Sequence, residues 1–221
     1  MKIVKVPSET KERILDAAER LFSEAGLRTT SLRDITGEAG VNLAAVNYHF
    51  GSKETLLTAV LERAIAPVNK RRIAWLDKLE SQAGESGPSV EDILLAFLGP
   101  PFDAWSESRD RGLRFLKLLG QIHTEANEDV KAVLLSQFEQ VLERFTKALA
   151  RALPALEPIE VSRRMLFVVG AMAQTMLSVH RFPLGLAAHH LDQTRESLVR
   201  FLAVGFSAEP TNVRASGGGG S

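Results

Sequence analysis

No cysteine occurs in the chain, which removes disulfides and thiolate metal sites at once. The absence fits a reducing compartment. Aromatic residues are scarce at 6%, with a single tyrosine, Tyr48. An excess of one charge is missing too: 27 Lys and Arg stand against 27 Asp and Glu. That excludes a polybasic coat but leaves room for a local basic face. No apolar run reaches the roughly 20 residues that span a bilayer. The most apolar stretch, Met165 to Val179, contains Gln174, Thr175 and Ser178 and reads as a helix buried on most sides. Lys5 and Pro7 interrupt the start, so no secretion signal is expected. The expected setting is cytoplasmic, with no membrane attachment.

Strand-like alternation is absent as well, and β-branched residues are scattered. What is present is helical periodicity, cut by Pro and Gly at a few places. A first helix is expected over Ser8 to Ala25, capped by Ser8 and stopped by Gly26, with Ile14, Ala17, Ala18, Leu21, Phe22 and Ala25 on one apolar face. Ser31 and Asp34 have capping-box spacing for a short second helix carrying Leu32 and Ile35 inward. Ala39-Gly40-Val41 makes a tight turn, and a third helix follows over Leu43 to Phe50. After Gly51-Ser52, a long helix starts at Lys53 and extends to about Leu79, with Leu56, Leu57, Val60, Leu61, Ala64, Ile65 and Val68 as its stripe. Further helices are expected over Ser89 to Phe97, ended or kinked by Gly99-Pro100-Pro101, and over Arg111 to Thr124, Glu128 to Leu153, Ile159 to His180 and Leu186 to Phe206. The expectation is therefore all-α: a three-helix N-terminal unit in residues 1–52, a helical bundle in 53–209, and a tail in 210–221. The Gly-rich end, Ala215 to Ser221, has the composition of an added flexible linker.

Two short helices joined by a tight Gly turn form a helix-turn-helix, whose second helix enters the DNA major groove. Here that helix runs Leu43-Ala44-Ala45-Val46-Asn47-Tyr48-His49-Phe50. Its small residues allow close approach to base edges. Asn42 and Asn47 can hydrogen-bond bases, and Ala44 or Ala45 can touch a thymine methyl. Arg33 stands on the exposed side within reach of DNA. A Tyr-His-Phe run alone is ordinary packing; with the capping signal, the Gly turn and Lys53 around it, packing no longer accounts for it.

This stretch resembles the TetR family of bacterial transcriptional regulators. The resemblance rests on Ala25-Gly26, Thr29-Thr30, Leu32-Arg33-Asp34-Ile35, Ala39-Gly40-Val41, Tyr48-His49-Phe50-Gly51-Ser52-Lys53-Glu54 and Leu56, over about residues 10 to 60. Thr36 and Gly37 depart from the usual pattern; neither lies among the DNA-facing positions. The resemblance implies that Tyr48 and His49 contact phosphates and that Thr29, Thr30 and Ser31 hold phosphate at the second helix. It implies that Lys53 adds a charge to a helix N-terminus that already favours anions, and that Phe50 packs inward. Lys2 and Lys5 are candidates for an arm reaching the groove.

In the C-terminal half, large apolar side chains gather on the central helices. The candidate pocket comprises Trp75, Phe97, Phe102, Trp105, Phe115, Leu119, Phe138, Met172 and Met176, with Arg114, His123 and Gln174 as polar anchors. For any one of them, ordinary core packing is the plainer role. The run from Ala45 to Lys53, the Gly-Pro-Pro kink and Gly120-Gln121-Ile122-His123 are similar to the subgroup that includes fatty-acid-responsive regulators, which implies a mainly apolar effector such as a fatty acid or acyl thioester. The resemblance also implies that the last two helices form a homodimer surface, through Leu166, Val169, Gly170, Ala173 and Leu177, and through Leu198, Phe201, Leu202 and Gly205. The implied function is a ligand-released repressor on a near-palindromic double-stranded operator; the alternative is an activator or dual regulator on the same fold. An enzyme is not expected, and no cofactor is implied. There is no His-Glu-x-x-His pair, nucleophile elbow or phosphate loop. The adjacent His189 and His190 would point about 100° apart on a helix, which makes them poor joint ligands.

Overall fold

A computed structural model describes residues 7–84, 87–126, 128–181 and 191–210. These are helices throughout: α1 Pro7–Ala25, α2 Leu32–Ala39, α3 Leu43–Phe50, α4 Lys53–Gln82, α5 Val90–Glu107, α6 Arg109–Glu125, α7 Glu128–Ala152, α8 Pro158–Arg181 and α9 Leu191–Ser207. Lys2, Lys5, His189, His190 and the expected start at Leu186 lie outside the described residues. So do the side chains of His123, Leu177 and His180.

Local rules place the first helices. Helix α1 starts one residue earlier than its expected Ser8 cap, on Pro7, whose fixed φ suits a first helical position. Ser31 caps α2 with the reciprocal box: its hydroxyl accepts from the Asp34 N–H, and the Asp34 carboxylate accepts from the Ser31 N–H. Gly40 ends α2 at φ 60°, a left-handed conformation natural to glycine. Helices α4 and α5 are likewise capped by Ser52 and Ser89, whose hydroxyls accept from the N–H groups of Thr55 and Asp92.

The Gly-Pro-Pro break does not occur. Helix α5 runs unbroken through Gly99, Pro100 and Pro101, all of them buried. An interior proline removes one hydrogen bond and costs about 3 kcal/mol or more. Two things offset this. Beyond the prolines the helix buries Phe102 and Trp105, each 3% exposed, and a fully buried large apolar side chain contributes about 1.5–3 kcal/mol. The carbonyl of Phe97, which Pro101 cannot bond, accepts instead from the Arg72 Nε–H at 2.8 Å.

Two apolar clusters form the core. One joins Ile14, Ala18 and Phe22 of α1 with Ile35, Val46, Phe50 and the α4 side chains Leu56, Val60, Leu61 and Ile65. It crosses the expected boundary at residue 52, and it also takes in Leu118 and Ile122 of α6 and Val130 of α7. The other joins Leu76 of α4 with α5, α7, α8 and α9, around an edge-to-face pair of Phe97 and Phe145 at 5.2 Å.

Candidate nucleic-acid interface

Helix α3 is eight residues long and shows two faces. Val46 and Phe50 are fixed in the core at 0% and 6% exposure. Leu43, Ala44, Asn47 and Tyr48 are exposed, and their i, i+4 spacing puts them on one face. Tyr48 projects furthest, at 83% exposure. His49 is half-buried between its neighbours: its ring meets Tyr48 edge-on at 5.0 Å and Phe50 at 6.1 Å. A buried aromatic thus steadies a half-buried one, which steadies the exposed phenol.

The other expected contacts divide. Arg33, Thr29 and Ser31 are exposed, although the Thr29 hydroxyl donates to the Ala25 carbonyl and the Ser31 hydroxyl to the Asp34 carboxylate, and Lys53 is half-exposed at the first position of α4. Asn42 is the N-cap of α3; its Oδ1 accepts from the Ala45 N–H at 2.9 Å, so that oxygen is committed to the helix and only the amide donors remain for a base. Ala45 is half-buried against the first cluster, which leaves Ala44 as the methyl exposed for a thymine. Thr30 is a correction. It is 3% exposed, and its hydroxyl donates to the carbonyls of Gly26 at 2.7 Å and Leu21 at 3.2 Å. Its N–H donates to the Gly26 carbonyl at 3.3 Å. Thr30 therefore closes the turn after α1 and has nothing to offer a phosphate.

Electrostatics gather where α2 and α4 begin. Hydrogen bonds from the Ser31 hydroxyl and N–H hold the Asp34 carboxyl below its usual range, and the nearby Lys53 ammonium pulls the same way. The Asp34 carboxylate thus occupies the N-terminus of α2, and the Lys53 ammonium, within its field, marks the N-terminus of α4, which favours an anion.

Sequence reasoning missed the side chains that hold this unit in place. Arg13 donates to the Ala39 and Gly40 carbonyls, tying α1 to the turn. Glu19 is buried and joins three helices: it accepts from Arg63 of α4 at 2.6 Å and from Arg114 of α6 at 3.3 Å. Burial pulls the Arg63 guanidinium down, but hydrogen bonds to Glu19 and Asp16 outweigh that and leave it above its ordinary value. At the other end of α6, Glu125 accepts from the Arg28 N–H at 3.0 Å. The apolar i, i+4 pattern of α1 hid Glu19, which interrupts the buried face between Ala18 and Phe22.

Those described candidates for the expected pocket that join a core cluster divide between the two. Trp75, Phe97 and Met172 belong to or pack on the second cluster, whereas Phe115 and Phe138 pack on the first. Phe102 and Trp105 are buried, Leu119 and Met176 half-buried, and Gln174 is exposed rather than aimed inward. Arg114 is committed to Glu19. It also lines a cleft of about 600 Å³ between α1, α2 and the start of α6, with Arg13, Glu38 and Arg111. A second cleft, about 350 Å³, lies between the end of α4 and α7, by Glu80 and Arg151. Among the described pocket candidates, none other than Arg114 lines either of these two clefts.

The expected dimer faces are partly open. Leu166 and Phe201 are 68% and 75% exposed. Gly170 and Gly205 are exposed, with nothing near the position of an added Cβ. Val169, Ala173 and Leu198 are half-buried. Leu202 is a correction: at 8% exposure it packs inside the chain's own second cluster. Phe167 and Val204, exposed at 60% and 75%, extend the open face beyond the expected residues. Among the described residues no His, Asp or Glu cluster could hold a metal ion. No described helix is long and apolar enough to cross a membrane.

The bacterial regulatory proteins of the tetR family match over residues 14–60, and the tetracyclin repressor-like C-terminal domain matches over 95–205. The transcriptional regulator AcrR of Shigella flexneri is 36% identical over 90 residues; the match covers 41% of this chain and 40% of that one, well under half of the relative's length. Among solved structures, a TetR-family regulator from Streptomyces coelicolor superimposes with a TM-score of 0.65 at 22% identity, covering 91% of this chain and 97% of that one. The fatty acid degradation regulator FadR of Bacillus halodurans gives 0.62 at 15% identity, covering 90% and 97%. At these identities the structures are alike in fold.

Proposed function

Because the chain belongs to the TetR family of bacterial transcriptional regulators, we propose that it is a homodimeric repressor that reads a near-palindromic operator and leaves it when a small, mainly apolar effector binds the C-terminal bundle. The observation that carries this reading is the exposed face of α3, with Ala44, Asn47 and Tyr48 beside Lys53 and the starts of α2 and α4. Asn47 and Ala44 would read base edges, while Tyr48, His49, Arg33 and Lys53, joined by Thr29 and Ser31 once their hydroxyls turn from Ala25 and Asp34, would position the head on phosphates. The open face of Leu166, Phe167, Gly170, Phe201 and Val204 would pair two copies through α8 and α9. Such pairing sets two α3 helices about 34–36 Å apart, or a multiple of that, matching one face of the duplex. The setting is a cytoplasmic one, where operator DNA is found.

The route from effector to DNA would run through α6 as well as α4. Helix α6 is held to the head at both ends, by Glu19 with Arg114 and by Glu125 with the Arg28 N–H. An effector that displaces α6 or α4 would therefore turn the head and spoil the register of the two α3 helices. A fatty acid or acyl thioester is the proposed effector class. It can shift the equilibrium only by its differential affinity for the two shapes, typically about 1–3 kcal/mol.

Selection from a random DNA pool should return a two-fold site. Lys53→Ala should then weaken binding to every sequence and reduce the salt slope by about 1, while Asn47→Ala should lower discrimination between sites. Selection without any preferred sequence, or a Lys53→Ala variant with unchanged affinity and salt slope, would defeat the proposal.

A further inference from the structure

The second core cluster surrounds a charge that it does not neutralise. Arg72 of α4 is 2% exposed. Its Nε–H donates to the Phe97 carbonyl at 2.8 Å, its Nη1 to Asn69 Oδ1 at 3.0 Å, and its Nη2 to the Met172 sulfur at 3.4 Å. The guanidinium lies over the Phe97 ring, 4.2 Å from its centre. No carboxylate among the described residues pairs with it; burial alone pushes it down, to about 9, so it remains charged at neutral pH. The undescribed residues contain one acidic side chain, Glu85, beyond the end of α4.

Two of these partners have structural duties. The Phe97 carbonyl is the acceptor orphaned by Pro101, and Asn69 in turn donates to the Gln137 carbonyl at 2.7 Å, tying α4 to α7. The third is different. A thioether is a weak acceptor, and methionine is the side chain that most readily re-packs. Met172 is half-buried, so nothing locks it in place from all sides. A buried cation is costly unless it is paired. A carboxylate in place of the sulfur would supply the missing charge through a short, charge-assisted hydrogen bond. Apolar groups stand around the guanidinium: the Phe97 ring beneath it and Met172 on its Nη2, with Trp75 one turn further along α4 packing its ring on Gly99.

We propose that Arg72 anchors the carboxylate of an apolar monocarboxylic effector on its Nη2 edge, where the Met172 sulfur now sits. The inference rests on the effector-release reading above and narrows it to acids. It also moves the polar anchor from Arg114, which Glu19 already neutralises, to Arg72.

The test is calorimetric titration of the full chain with decanoic, lauric and palmitic acids, and with the primary alcohols and amides of the same chain lengths. The acids should bind at least about tenfold more tightly than their neutral analogues. Arg72→Gln should erase that gap, and Met172→Leu, which keeps volume and removes the sulfur, should retain it. The comparison of acid with alcohol in the unaltered protein decides the matter even where Arg72→Gln fails to fold. Equal affinity for acids and alcohols, or a folded Arg72→Gln variant that still prefers acids, would overturn the role of Arg72 and leave the effector reading standing. Operator binding with no response to any of these compounds would overturn both.

Discussion

Truncating Glu19 to alanine should loosen the head from α4 and α6 in a measurable way. The Glu19 carboxylate is 8% exposed, with Arg63 Nη2 at 2.6 Å on one oxygen and Arg114 Nε at 3.3 Å on the other. Losing one partner of a fully buried pair costs about 3–5 kcal/mol, because the other charge is stranded. That figure is too high here. Arg63, 19% exposed, keeps Asp16 at 2.8 Å and Glu12 at 3.2 Å, and Arg114 is 34% exposed and can turn to water. The loss is closer to that of one hydrogen bond to a charged group, about 1.5–3 kcal/mol. For a chain of this size about 2 kcal/mol corresponds to roughly 4–8 °C in Tm. Thermal unfolding followed by circular dichroism measures it. A double-mutant cycle should divide the effect unequally: the Glu19–Arg114 link, longer and with its arginine a third exposed, should couple by about 1 kcal/mol or less, and the Glu19–Arg63 link by more. A Glu19→Ala protein melting within about 1 °C of its parent, or a cycle in which Arg114 dominates, would refute the assignment of Glu19 as a buried clasp.

Thr30→Val should cost about 1–2 kcal/mol by removing its hydroxyl from the Gly26 and Leu21 carbonyls. Because Thr30 is structural, the salt slope of DNA binding should stay unchanged, and urea unfolding beside salt-dependent titration separates the two effects. Gly40→Ala places a side chain at φ 60° and 2.7 Å from Arg13 Nη2; the backbone alone costs about 1–2 kcal/mol, so the urea midpoint should fall. The Asp34 carboxyl titrates below its unfolded value of 3.8. Its support for α2 is therefore complete above that value and fades as pH falls through the lower folded one. Amide exchange at Ser31 should accelerate in that acid window in the native protein and show no such step in Asp34→Asn.

The parts legible in the sequence were those governed by short-range rules. Ser31 with Asp34, Gly40 and Ser52 act within one turn of their own positions, so α2, α3 and the start of α4 could be read directly. The Gly-Pro-Pro segment does not end its helix: the local rule was right about the cost, but part of the compensation came from Arg72, 25 residues away. Arg72 itself left a trace: it occupies a stripe position between Val68 and Leu76, where a charge must either be satisfied internally or break the helix face. Thr30 could not be told from Thr29 by type; only the fold shows that one turns inward. The pocket residues share an apolar character with the rest of both cores, and composition alone does not say which cluster a Phe joins. The dimer face suffered the same ambiguity at Leu202, which serves the chain's own interior.

Leu118, Ile122 and Val130 sit in the same core as Ile14, Phe22 and Leu56. The N-terminal helical unit is therefore not interchangeable between relatives as a cassette cut near residue 60. A chimera made that way would meet a foreign α6, with different knobs for its holes, and each buried apolar side chain that fails to fit forfeits about 1.5–3 kcal/mol. A change at any of these three positions is felt on both sides, by the N-terminal helices and by the C-terminal bundle that share the cluster. Under the proposed reading, new operator specificity would be reached most cheaply by point changes at the exposed Ala44 and Asn47, and successful swaps would carry α6 and the start of α7 along with the head.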